Sequence, residues 1–192
     1  MKTAAIPAWT ADGVLPPIGG IATARDRSPY RVSLTDYLLR FGGTPDRCAI
    51  LKGLLDYRAR LHNAGLIRGF QWLDGSFLEN VEVTENRSPN DIDLVSFYYC
   101  PPGISQAALL ATHPWLVDRH ALKTQHRVDA YVLDLGNNDS ETLTRQSAYW
   151  YSMWSHRRNR VWKGFVEIDL APADDAAGAA TLASLSIPGG AP

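Results

Sequence analysis

The chain has 192 residues, 45% of them hydrophobic, and a formal net charge of −1, which suits one domain with a full core and gives no global field to recruit nucleic acid or a membrane surface. No apolar run is long enough for a transmembrane helix, and Met1–Pro7 lacks the apolar core of a signal peptide. Cys48 and Cys100 stand far apart without metal-ligand spacing, so a reduced, cytoplasmic chain is expected. Residues 1–32 are rich in Pro, Gly and Ala and predict an extended arm. Ser33 can cap a helix over 33–41 that Gly42-Gly43 ends. Thr44 and Pro45 open a second helix running to Ala64. Ile67 to Leu73 reads as a strand, followed by a Gly75-Ser76 turn and a brief helix over 77–80. Val81 to Ser88 reads as a loop, and Asp91 to Tyr99 as a strand stopped by Pro101-Pro102-Gly103. A helix interrupted by Pro114 spans 105–121, and Val128 to Leu135 is a third strand. A helix over 140–156 and a strand over 163–170 follow. From Ala171 to 192 the composition predicts a disordered tail. Helices and strands alternate, so residues 33–170 are expected to form a single α/β (α+β) domain, a mixed sheet flanked by helices.

Two motifs carry chemistry. Asp91 and Asp93 alternate with Ile92 and Leu94, so a strand places both carboxylates on one face. Two adjacent carboxylates repel unless a cation joins them, and Mg²⁺ prefers carboxylates together with substrate phosphates. Gly75 and Ser76 sit where a strand turns into a helix. Glycine permits close approach of the backbone, and amides at a helix start suit a phosphate. Glu79, Glu82 and Glu85 read as solvated loop acids. His113, His120, His126 and His156 lack metal-ligand spacing.

Gly75-Ser76 followed by Asp91-Ile92-Asp93 resembles the signature of the polymerase-beta-type nucleotidyltransferase superfamily, over roughly residues 50 to 135. Gly13-Val14-Leu15-Pro16-Pro17, Phe41-Gly42-Gly43-Thr44 and Asp74-Gly75-Ser76-Phe77 extend the likeness to a small bacterial family thought to carry this core. The spacing departs from the pattern: fourteen residues separate Ser76 from Asp91, somewhat more than is common there. The resemblance implies a nucleotidyltransferase-like fold. It also implies a Mg²⁺- or Mn²⁺-dependent enzyme that moves a nucleoside monophosphate from an NTP to a hydroxyl on RNA, protein or a nucleotide. A bacterial toxin or phage-defence role is reasonable for so small a member. The alternative is a catalytically inactive module that keeps the fold and binds a nucleotide or a partner.

The same resemblance calls for a third acid from a later strand, to join Asp91 and Asp93 as metal ligand and serve the attacking hydroxyl. Asp129 and Asp134 are five apart, so a regular strand points them to opposite faces. Asp129 is preferred because it precedes Tyr131-Val132-Leu133 much as Asp91 and Asp93 sit early in their strand. Asp134 otherwise begins a turn into Gly136. Arg157, Arg158, Arg160 and Lys163 interleave with Trp150, Trp154 and Trp162. Such a cluster can neutralise phosphates and stack bases, and Arg157, Arg160 and Lys163 join Gly75 and Ser76 as nucleotide-binding candidates. The alternative is a helix end over core tryptophans. Little chain remains to grip an acceptor, which makes a homodimer or a partner protein an expectation.

Overall fold

Residues 5–20 and 26–185 are described in the computed structural model, and their strands form one five-stranded mixed sheet in the order β1-β5-β2-β3-β4. β1 (Tyr30–Val32) runs parallel to β5 (Val166–Asp169). β2 (Gly69–Asp74) lies antiparallel between β5 and β3 (Ile92–Tyr98). β4 (Val128–Asp134) closes the other edge, parallel to β3. A parallel neighbour needs a crossover. Here it is made by α4 (Gln106–Thr112) and α5 (Arg119–His126), divided at Pro114. Among the described residues no helix is long and apolar enough to cross a membrane.

The two sheet faces are packed differently. α2 (Pro45–Asn63) covers the face bearing Gln71, Leu73, Leu94 and Ser96. Its Tyr57 and Arg58 are fully buried there and reach Ser96 and Gln71. The opposite face carries Trp72, Phe97 and Tyr131. α6 (Ser140–Trp154) lays Trp150 on Tyr131 and Trp154 on Phe165. Asp139 caps α6, as Ser33 caps α1 (Leu34–Phe41) and Thr44 caps α2, each side-chain oxygen accepting from a first-turn amide.

Four expectations change. The extended arm predicted for 1–32 ends in β1, and its earlier part is anchored: Trp9 donates to the Leu78 carbonyl, and Val14 and Leu15 are buried. Residues 1–4 and 21–25 of that arm lie outside the described residues. The tail expected to be disordered from Ala171 instead forms α7 (Asp175–Leu185). Fully buried Arg58 pairs with Asp175 at 2.6 Å, and Gly178 lets α7 settle against Leu34 and Leu38 of α1. Composition read as disorder is overridden by that tertiary anchor; residues 186–192 lie outside the described residues. Finally, the expected helix over 77–80 is a tight turn at Ser76–Leu78, and the expected loop contains one helical turn, α3 (Val81–Thr84).

Candidate active site

Strand register assembles a row of acids. Asp74 pairs with Asp93 across β2 and β3, and Asp93 pairs with Asp129 across β3 and β4. Directly paired residues share a face, so three carboxylates stand side by side on three neighbouring strands. Asp91 joins them from two residues before Asp93. The loop leading to it is held by Arg127, which donates to the carbonyls of Asn90 and Pro89. Arg127 itself adopts a left-handed backbone between α5 and β4.

Gly75 closes the row at the end of β2. Its φ is +86°, and a Cβ there would come within 2.1 Å of Asp93 Oδ2. Only glycine therefore lets the Gly75-Ser76 turn lie against this carboxylate. Ser76, half-buried, begins the tight turn that follows.

Charge divides the row into two halves. On the β2 side, Lys163 Nζ sits 2.9 Å from Asp74 and 3.0 Å from Glu79, and Arg157 reaches Glu79 at 2.7 Å. Lys163, Asp74 and Glu79 are all buried. On the β4 side, Lys123 Nζ lies 2.5 Å from Asp91 Oδ2, and Arg119 Nη2 lies 2.5 Å from Asp129 Oδ1. Asp93 stands between the halves. Burial, then the negative charges of Asp91, Asp74 and Asp129, push its carboxyl up to about 7. Burial also raises Asp74 to about 6, against the pull of Lys163. Burial acts to lower Lys163, but Asp74 and Glu79 outweigh it and hold the ammonium above its ordinary value.

The structure brings together Asp91, Asp93, Asp129, Gly75 and Ser76. Asp134 is elsewhere: it is buried opposite Tyr98 at the far end of β4, accepting from Gly136 and Asn137. Lys163 borders the row, but as a buried clamp on two acids rather than an open phosphate ligand. Arg157 is committed to Glu79, while Arg160 is exposed in a turn at φ +70°. The aromatic cluster divides likewise, with Trp150 and Trp154 in the core and Trp162 exposed. Glu79, expected to be solvated, is buried by its two cations. Sequence reasoning missed Arg119 and Lys123. Their one signal is an i,i+4 spacing on the helix that leads directly into the Asp129 strand.

As they stand, no three Asp, Glu, His or Cys side chains among the described residues are placed to hold a metal ion. The donor chemistry nevertheless fits Mg²⁺: the donors are all carboxylate oxygens, and Asp74 Oδ1 is buried without a hydrogen-bond partner. Lys123 and Arg119 pair with Asp91 and Asp129 of this donor set. A separate cavity of about 680 Å³ lies between α2 and α7, lined in part by Cys48, Leu55, Leu182 and Leu185. No carboxylate of the row borders it.

Residues 7–169 match a family of unknown function, DUF6932. The matched segment contains all five strands and the whole acid row, and α7 lies beyond it. No curated protein and no solved structure matches the chain.

Proposed function

The chain belongs to the DUF6932 family, and we propose that it is a metal-dependent nucleotidyltransferase that moves a nucleoside monophosphate from an NTP to a hydroxyl acceptor. The observation that carries this reading is the row Asp74–Asp93–Asp129, with Asp91 beside it and the Gly75-Ser76 turn against Asp93. A turn able to meet phosphates next to clustered carboxylates is what transfer at an α-phosphorus needs. A bound Mg²⁺ or Mn²⁺ would neutralise the triphosphate and acidify the attacking hydroxyl.

The residues divide the work. Asp91 and Asp93 would hold the ion that accompanies the triphosphate. The backbone of Gly75 and Ser76 lies along the phosphates. Asp129 orients the acceptor hydroxyl and takes its proton. The acceptor oxygen forms a bond to the α-phosphorus, the bond to the bridging α–β oxygen breaks, and pyrophosphate leaves. Lys163 fixes Asp74 and Glu79 and so sets the end of β2. The acceptor is RNA, a protein or a nucleotide, and a second copy or partner protein helps to hold it.

The test is incubation of the chain with each of the four labelled NTPs, Mg²⁺ or Mn²⁺, and mixed RNA and protein. Label should move to a macromolecule with wild type and not with Asp93→Asn. A second reading, a binding module without transfer, is favoured by one observation: Lys123 and Arg119 already neutralise Asp91 and Asp129 without a metal ion. That reading is supported if an NTP raises the melting temperature while no NTP yields transfer.

A further inference from the structure

Arg119 and Lys123 lie four residues apart on α5, on one face of the helix. Both reach the carboxylate row. Lys123 contacts Asp91 at 2.5 Å and approaches Asp129 at 3.8 Å, and Arg119 donates to Asp129 through Nε and Nη2. The acids form the floor, with side chains 13% and 15% exposed, whereas the two cations are 53% and 46% exposed. The cations can therefore leave by rotating their own stems, without opening the fold. Lys163, buried on Asp74 and Glu79, has no such path.

We propose that Lys123 and Arg119 are exchangeable counterions, which neutralise Asp91 and Asp129 in the metal-free protein and transfer to the phosphate oxygens of an incoming metal–nucleoside triphosphate. This rests on the nucleotidyltransferase reading above and assigns it two phosphate ligands outside the Trp150–Lys163 segment. Electrostatics drives the exchange. A divalent ion among the acids repels the two cations already there, and the triphosphate brings several negative oxygens to the same mouth. A guanidinium fork matches phosphate oxygens, and a lysine ammonium follows as a point charge. Tyr131 gives Arg119 a place to stay during the exchange, because the guanidinium lies 4.0 Å over its ring.

The exchange has a signature of opposite signs. Titration calorimetry on the full chain compares wild type, Lys123→Met and Arg119→Met. The ligands are Mn²⁺ alone and then, in saturating Mn²⁺, each of the four α,β-methylene nucleoside triphosphates, which cannot transfer. Each variant should bind Mn²⁺ alone severalfold more tightly, because an internal competitor is gone. Each should bind the nucleotide analogue more weakly, by about tenfold, the scale of one charge-assisted hydrogen bond. Melting in chelator should fall for both variants and recover with Mn²⁺, since the acids lose their counterions. Lys123→Gln serves the same comparison if the methionine variant does not fold. Weaker binding of both ligands, or unchanged nucleotide binding, overturns the exchange. Wild-type Mn²⁺ binding that Asp91→Asn/Asp93→Asn abolishes would, in that case, leave the nucleotidyltransferase reading standing. No Mn²⁺ binding by wild type or any variant overturns both.

Discussion

The two ends of the acid row use the same chemistry under opposite solvation. At the β2 end, Lys163 and Asp74 have side chains 7% and 4% exposed, and Glu79 completes a buried triad. At the β4 end, acids of similar type pair with cations that are about half exposed. A buried pair lacks solvent to replace a missing partner, so its cation cannot be removed cheaply. A cation at the surface is readily replaced by water or another ion. The difference separates a charge cluster fixed by burial from one whose cations solvent can reach.

The largest expected effect breaks the buried end. Lys163→Met leaves Asp74 and Glu79 facing each other without their shared cation, and should cost ~3–5 kcal/mol, as for other broken buried pairs. Lys123→Met should cost under ~1 kcal/mol in unfolding, as expected for an exposed pair. Urea denaturation of the two variants in chelator measures both. Equal losses would mean that the two ends do not differ as their exposures indicate.

Next is Gly75→Ala. The substitution strains a backbone at φ +86° and drives a methyl into Asp93 Oδ2. The backbone contribution alone is ~1–3 kcal/mol. The methyl also displaces the central carboxylate, so Mn²⁺ affinity should fall together with stability. A Gly75→Ala protein with wild-type Mn²⁺ binding would place the ion away from Asp93.

How much of this is legible in the sequence depends on whether an interaction is local. Alternation is enough to put Asp91 and Asp93 on one face, and the apolar run after Asp129 is enough to choose it over Asp134 as the residue beside them. Cap residues mark the starts of α1, α2 and α6. Composition is what misleads: a Pro- and Gly-rich arm hides β1, and an Ala-rich tail hides α7. Both elements exist through partners more than a hundred residues away, β5 for β1 and Arg58 for α7. Glu79 is hidden for the same reason, because its cations come from Arg157 and Lys163, beyond α6. Arg119 and Lys123 are ordinary helix-surface residues until β4 pairs with β3.

The central carboxylate gives a pH dependence of known sign. Asp93 is raised from 3.8 to about 7 in the folded chain. Between those values the folded state keeps a proton that the unfolded state has released, so stability falls as pH rises through the window and levels off above it. Asp74, raised to about 6, acts in the same direction. His126, lowered by burial and by Arg60, acts oppositely at the acidic end, so the effect is read as a difference from Asp93→Asn. Thermal melts in chelator should show wild type losing stability relative to Asp93→Asn as pH rises toward neutrality. Saturating Mn²⁺ should reverse the trend, because it favours the ionised carboxylate. A difference that does not vary with pH would mean that Asp93 is not the strained member of the row.

The smallest expected effect lies just outside the buried end. Arg158 and Arg160 are exposed, whereas Arg157 is drawn inward to Glu79. Arg158→Ala/Arg160→Ala should therefore change unfolding by under ~0.5 kcal/mol, as surface substitutions usually do. Arg157→Ala should cost more, because it uncovers a buried carboxylate. If RNA is the acceptor, the two exposed arginines bind its phosphates and nothing else. Removing them should weaken binding to unrelated RNA sequences alike, and reduce the slope of log affinity against log salt by about one for each arginine removed. Filter binding across a salt series measures this independently of transfer. An unchanged slope, with label still moving to RNA, would assign acceptor binding to another surface. A large loss of stability in the double variant would instead extend the buried cluster outward, and the boundary between the buried and the solvent-exposed charges would have to be redrawn beyond Arg157.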